Sequence, residues 1–209
     1  MSASHSKSIG RKGSRRRGIR KRRIKTREQK PTILIVCEGG KTEPNYFNAF
    51  PVTSLEVHVE GTGFNTISLV NKAINFSKKR SYDQVWCVFD KDDFPKQDFN
   101  NAIQKMEDKG KRFHCAYSNE SFELWYLLHF SYYIAASNRK AYCKLLSDSL
   151  QQEYQKNCKT MYDDLLEKQQ DAIRNAKNLL NQYDDSTPPA DKNPSTTVYL
   201  LVEELNKHL

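Results

Sequence analysis

Apolar positions from residue 32 onward switch repeatedly between two periods. Ile33, Leu34, Ile35 and Val36 run together as in a strand buried on both faces, which predicts a first strand over Ile33–Cys37. Tyr46, Phe47 and Phe50 then recur at helical spacing in a segment opening near Thr42, a capping residue type, with Pro44 in its first turn. Leu55–Val59 alternates as a second strand and stops at Gly61-Thr62-Gly63. A helix is predicted from Asn65 to Lys79, with Ile67, Leu69, Val70, Ala73, Ile74 and Phe76 as its apolar positions. Gln84–Phe89 reads as strand three, Gln97–Lys109 as a helix stopping before Gly110, Phe113–Tyr117 as strand four, and Phe122–Phe130 as a strongly apolar helix. This strand–helix alternation predicts the α/β class, with a mostly parallel sheet covered by helices on both faces.

Beyond Tyr133 the pattern turns wholly helical. Asp163–Tyr183 carries Leu165, Leu166, Ala172, Ile173, Ala176, Leu179, Leu180 and Tyr183 as a stripe, which serves either its own core or a homo-oligomer surface. Asp184–Pro194, with Pro188-Pro189, reads as a loop, and Ser195 as the cap of a last helix, Thr196–Lys207. Three segments result: residues 1–30, an α/β core over 31–133, and a helical extension over 134–209 packing on that core.

Charge sets the first segment apart. Residues 1–30 hold 13 Lys/Arg and the single acid Glu28, a net +12, while the rest has 21 basic and 24 acidic residues, a net −3. Such a Ser/Gly/Arg-rich stretch, almost without large apolar residues, reads as a disordered basic arm. Arg15, Arg16, Arg17, Arg20, Lys21, Arg22 and Arg23 are its candidate phosphate contacts; the competing reading is a solubilising tail, since no aromatic residues interleave for base contact. The five cysteines form no C-x-x-C pair and no zinc spacing, and an odd number with three inside apolar strands points to free thiols in a reducing cytoplasm. No apolar run has membrane-spanning length, and no apolar segment follows the basic residues as in a secretory signal.

Candidate chemistry lies where strands end. Glu38 follows strand one beside Gly39 and Gly40, and Asp90-Lys91-Asp92-Asp93 follows strand three. Ligands of open α/β sheets bind beyond the carboxyl ends of the strands, so Glu38, Asp90 and Asp92 are expected to meet despite the roughly fifty residues between them. Clustered carboxylates repel unless a cation sits among them, and an all-oxygen set suits Mg²⁺ or Mn²⁺. Each residue also has a plainer reading: the DKDD run as a polar turn, and Glu38 as an acid at a helix N-terminus. Glu38 can be ligand or general acid/base, and Glu43 is most simply an N-terminal helix charge. Gly40-Lys41-Thr42 is not a phosphate loop, because Ile35 stands where that motif needs its first glycine. Glu120 and Glu123 follow strand four, and His129 on an apolar helix reads more simply as a core histidine than as a catalyst.

Together, EGGKTEPNYF (Glu38–Phe47), VFDKDDF (Val88–Phe94), SNESFELWYLLHF (Ser118–Phe130) and NPSTTVYLLVEEL (Asn193–Leu205) resemble the RloB family, small TOPRIM-like proteins of restriction and phage-defence loci. The family pattern has proline where this chain has Glu120. The resemblance implies a TOPRIM-like fold and a Mg²⁺-dependent nuclease acting on DNA or RNA, with Glu38, Asp90 and Asp92 as metal ligands and Glu123 as the matching fourth acid. Lys41, Thr42, Asp93, Asn119 and His129 would surround them. It also implies an antiphage role beside an ATPase; no ATPase motif occurs in this chain, so that motor would come from a partner. The rival reading is a non-catalytic nucleic-acid-binding or adaptor subunit.

Deleting residues 1–30 should weaken binding to unrelated nucleic-acid sequences alike. It should also flatten the logarithmic salt dependence by about 0.7–0.9 for each phosphate that the arm neutralises. Fluorescence anisotropy titrations at several salt concentrations measure both; unchanged affinity and slope would identify a solubilising or partner-docking segment.

Overall fold

The structure, a computed structural model, describes residues 1, 30–63, 66–92 and 94–209. The arm's Arg15, Arg16, Arg17, Arg20, Lys21, Arg22 and Arg23, and also Asn65 and Asp93, lie outside the described residues. In chain order the elements are β1 (Thr32–Cys37), α1 (Thr42–Asn48), β2 (Glu56–Gly61), α2 (Thr66–Lys79), β3 (Gln84–Asp90), α3 (Lys96–Glu107), β4 (Phe113–Asn119), α4 (Glu123–Leu127), α5 (Arg139–Leu150), α6 (Met161–Leu165), α7 (Gln169–Leu180), β5 (Ser195–Thr196) and α8 (Val198–Asn206). The sheet order is β2-β1-β3-β4-β5; the first four strands are parallel and β5 runs antiparallel to β4. The α/β class and mostly parallel sheet are as expected.

Side-chain alternation along the strands divides the interior in two. Leu34, Val36, Val85, Cys87 and Phe89 face α2 and α3, packing with Leu69, Val70, Phe99 and Met106. Ile33, Ile35, Cys37, Trp86 and Val88 face the opposite way, onto α1 and the helices after β4. The apolar runs of β1 and β3 are continuous because helices cover both faces. On the second face Tyr46 is the aromatic hub, its ring 5.4–5.9 Å from those of Phe47, Phe50, Phe122, Tyr126 and Tyr162.

The C-terminal part adds an edge strand to the sheet as well as helices. Ser195 and Thr196 form a strand instead of a helix cap, and Thr197 takes the cap position without a side-chain capping bond. These hydroxyls serve the edge of β4: Thr197 Oγ1 accepts from the Tyr117 amide at 2.9 Å, and Thr196 Oγ1 donates to the Tyr117 carbonyl at 3.1 Å. The predicted helix Asp163–Tyr183 is broken by a 3₁₀ turn over Leu166–Lys168, which leaves Leu166 outside while Leu165, Ala172 and Ile173 stay in the core. Likewise α1 is capped by Lys41, because the Thr42 hydroxyl donates to the Lys156 carbonyl of the loop after α5. The cysteines are free thiols, and among the described residues no helix is long and apolar enough to cross a membrane.

Leu201 of α8 is fully buried in the core that also holds Ile33 and Ile35. Leu201→Ala should therefore cost about 2–5 kcal/mol. Urea unfolding followed by circular dichroism measures the loss, which would stay below about 1 kcal/mol if the C-terminal helix were a loosely attached appendage.

Candidate active site

Parallel pairing sets the site. In the register of β1 with β3, Cys37 stands opposite Val88, and the Glu38 amide continues the ladder by donating to the Val88 carbonyl at 2.9 Å. The Glu38 side chain is thereby level with the end of β3, where its Oε2 accepts from the Asp90 amide at 3.2 Å. Glu38 and Asp90 thus meet at one sheet edge. Asp92 reaches the same point by a different route from strand alternation: β3 ends at Asp90, and Asp92 turns with φ 38°, a conformation that Asp tolerates better than most residues. The turn is held by the Asp92 amide donating to the Glu120 carbonyl at 3.0 Å.

At the centre stands Arg139, the first residue of α5. Its Nη2 lies 2.8 Å from Asp90 Oδ2 and 2.7 Å from Asp92 Oδ2, and its Nε is 3.7 Å from Glu123 Oε2. Glu123, opening α4, is buried, as is Glu43 from α1. Glu43 folds back so that its Oε1 accepts from the Gly39 amide at 3.3 Å. A Cβ on Gly39 would lie 2.0 Å from Glu43 Oε2, so this close approach requires glycine. A cavity of about 200 Å³ opens here, walled by Glu43, Asp90, Glu123, Arg139 and Lys156. A larger cleft of about 710 Å³, beside Trp86, His114 and α8, lies near the start of β3 and β4 and holds no comparable set of buried acids.

Burial dominates the electrostatics. It pushes the Glu38 carboxyl up to about 7, reinforced by Asp92 and Glu43 and opposed by the Asp90 amide and Arg139. The same cause raises Asp90 well above the carboxylate range, with Glu43, Glu123 and Asp92 adding repulsion and Arg139 opposing it. Glu43 is also raised, first by burial and then by Glu123. Burial lowers the Arg139 value, but attraction to Asp90, Asp92 and Glu123 leaves it raised and the guanidinium charged.

Five carboxyl groups (Glu38, Glu43, Asp90, Asp92 and Glu123) therefore surround one guanidinium. Among the described residues no three acid, histidine or cysteine side chains are set to hold a metal ion, and the guanidinium lies between the candidate ligands. The donor chemistry nevertheless fits a hard divalent cation: all donors are oxygen, the acids outnumber the cation, and Asp90 Oδ1 is buried with no hydrogen-bond partner.

The surrounding residues fall out unevenly. Lys41 is exposed, and Thr42 ties α1 to the Lys156 loop. Asn119 is buried and donates to the Ala190 carbonyl at 3.1 Å, so it pins the segment before β5. His129 is a core residue: its ring sits edge-on to Trp125 at 4.9 Å, and Nδ1 donates to the Trp125 carbonyl at 2.9 Å. Two participants escaped the sequence reading. Glu43 looked like a helix-terminal charge, and Arg139 carried only the faint signal of a cation at a helix start, where the dipole disfavours it.

The profile of the family described as RloB-like protein matches residues 33–205. No curated protein and no solved structure matches the chain.

Burial holds the His129 imidazole down to about 4, against its backbone hydrogen bonds. Between about 6.5 and 4 the unfolded chain takes up a proton that the folded protein refuses, so stability falls as pH drops through this window. His129→Gln should remove that component. The stability difference between wild type and variant should shift by up to about 3 kcal/mol between pH 7 and 4, measured by urea unfolding at each pH. A constant difference would mean that His129 takes up its proton equally readily in the folded and the unfolded chain.

Proposed function

The chain belongs to the RloB-like family, and from that premise we propose that it is a metal-dependent phosphodiesterase of TOPRIM type acting on DNA or RNA. The observation that carries this reading is the buried carboxyl cluster at the carboxyl ends of β1 and β3, with an Asp90 oxygen left without a partner. Asp90 and Asp92 would hold Mg²⁺ or Mn²⁺, with Glu38 or Glu123 completing the set. A bound divalent ion supplies charge neutralisation for a scissile phosphate and makes water a stronger acid. Glu38, whose carboxyl is raised to about 7, is tuned to accept a proton near neutral pH. The Asp90 amide that it binds fixes its orientation. Phosphate contacts from the basic arm, an antiphage role and an ATPase partner are part of the proposal and rest on charge pattern and resemblance.

The adaptor reading has one observation in its favour, the guanidinium seated among the acids. Asp92→Asn separates the two. Asp92 is partly exposed at the cluster's rim, so the substitution should leave the melting temperature near wild type. It should reduce Mg²⁺- or Mn²⁺-dependent cleavage of tRNA, single-stranded or duplex DNA by more than the roughly 10–100-fold typical of losing an outer partner of a metal ligand. Equal cleavage by wild type and variant leaves the adaptor reading.

A further inference from the structure

Arg139 occupies a position that helix energetics does not favour. A cation in the first turn of a helix opposes the helix dipole, at a cost of about 0.3–1 kcal/mol. Asn138 already caps α5, its side chain accepting from the Ala141 amide at 3.0 Å, so the guanidinium is not needed to start the helix. What holds it is the carboxylate pair: one nitrogen, Nη2, is shared between Asp90 and Asp92. That is a single-nitrogen contact, in place of the bidentate fork that makes arginine–carboxylate pairs strong. Nε finds no hydrogen-bond partner, and about a third of the side chain is exposed beside the cavity. Arg139 is thus tethered by charge, imperfectly bonded, and has open space next to it.

We propose that Arg139 is a stored phosphate clamp: an internal counter-ion of the acid cluster that a divalent cation displaces, and whose freed guanidinium then takes the substrate phosphate. This rests on the metal-dependent reading of the same cluster. A cation at Asp90 and Asp92 removes the closest attractions that hold Arg139 in, leaving only the longer one to Glu123. The released side chain stays at the N-terminal end of α5, where the helix dipole favours an anion, and its planar fork matches two phosphate oxygens. Metal entry and phosphate capture are then two halves of one exchange of partners, with net charge in the cluster kept nearly constant.

The test uses the full chain, Mn²⁺ alone and inorganic phosphate. Free Mn²⁺ is followed by electron paramagnetic resonance, and phosphate by the phosphorus NMR relaxation that bound Mn²⁺ imposes. Arg139→Gln should bind Mn²⁺ about tenfold or more tightly than wild type, because the competing charged partner is gone. With Mn²⁺ bound it should hold phosphate about tenfold more weakly, since the clamp is missing. Unchanged or weaker Mn²⁺ binding, or unchanged phosphate binding, overturns the proposal while leaving the metal site intact. Absence of Mn²⁺ binding in wild type and variant alike overturns the metal-dependent reading with it. Melting curves in EDTA report whether Arg139→Gln folds. If it does not, Arg139→Lys, which keeps the charge without the fork, is read by phosphate alone: weaker capture with Mn²⁺ bound supports the clamp, and unchanged capture overturns it.

Discussion

Everything at this sheet edge depends on the balance between buried acids and the one guanidinium among them. Carboxylates removed from water without a partner neutralise or disrupt the fold around them. Here Asp90, Glu43 and Glu123 are buried, and Arg139 pairs with Asp90 and approaches Glu123. Removing the guanidinium would strand the buried acids that it pairs with, whereas removing one acid relieves repulsion among the others. The position of α5, the turn at Asp92 and the glycine at position 39 all serve this arrangement.

The fold was legible wherever burial imposes a period. β1 and β3 announced themselves because a strand covered on both faces must be apolar throughout, and α2 and α3 because each buries one stripe. What could not be read was decided by tertiary contact. Ser195 and Thr196 look like a helix start to local rules, but β4 offers them unpaired backbone groups, and the edge wins. The break between α6 and α7 is invisible in the stripe of leucines because either side of the break has helical spacing.

The site divides along the same line. Glu38 and Asp90 are strand-end residues whose meeting follows from topology, so sequence reasoning reached them. Arg139 and Glu43 act through long side chains that reach back toward the sheet, and neither sits where a spacing rule looks. His129 shows the opposite case, a chemically versatile residue in the turn just after α4 that the core has buried.

The separation of the interior into two faces also orders events in time. The α2–α3 face is completed largely by residues up to Tyr117, whereas the opposite face draws on α4 through α8. A chain emerging amino end first therefore presents most residues of one face before those of the other. Glu38, Asp90 and Asp92 are made before Arg139, so in synthesis the acids precede the cation that pairs with them in the finished edge. Until Arg139 follows, positive charge to offset these acids has to come from basic residues made earlier or from ions in solution.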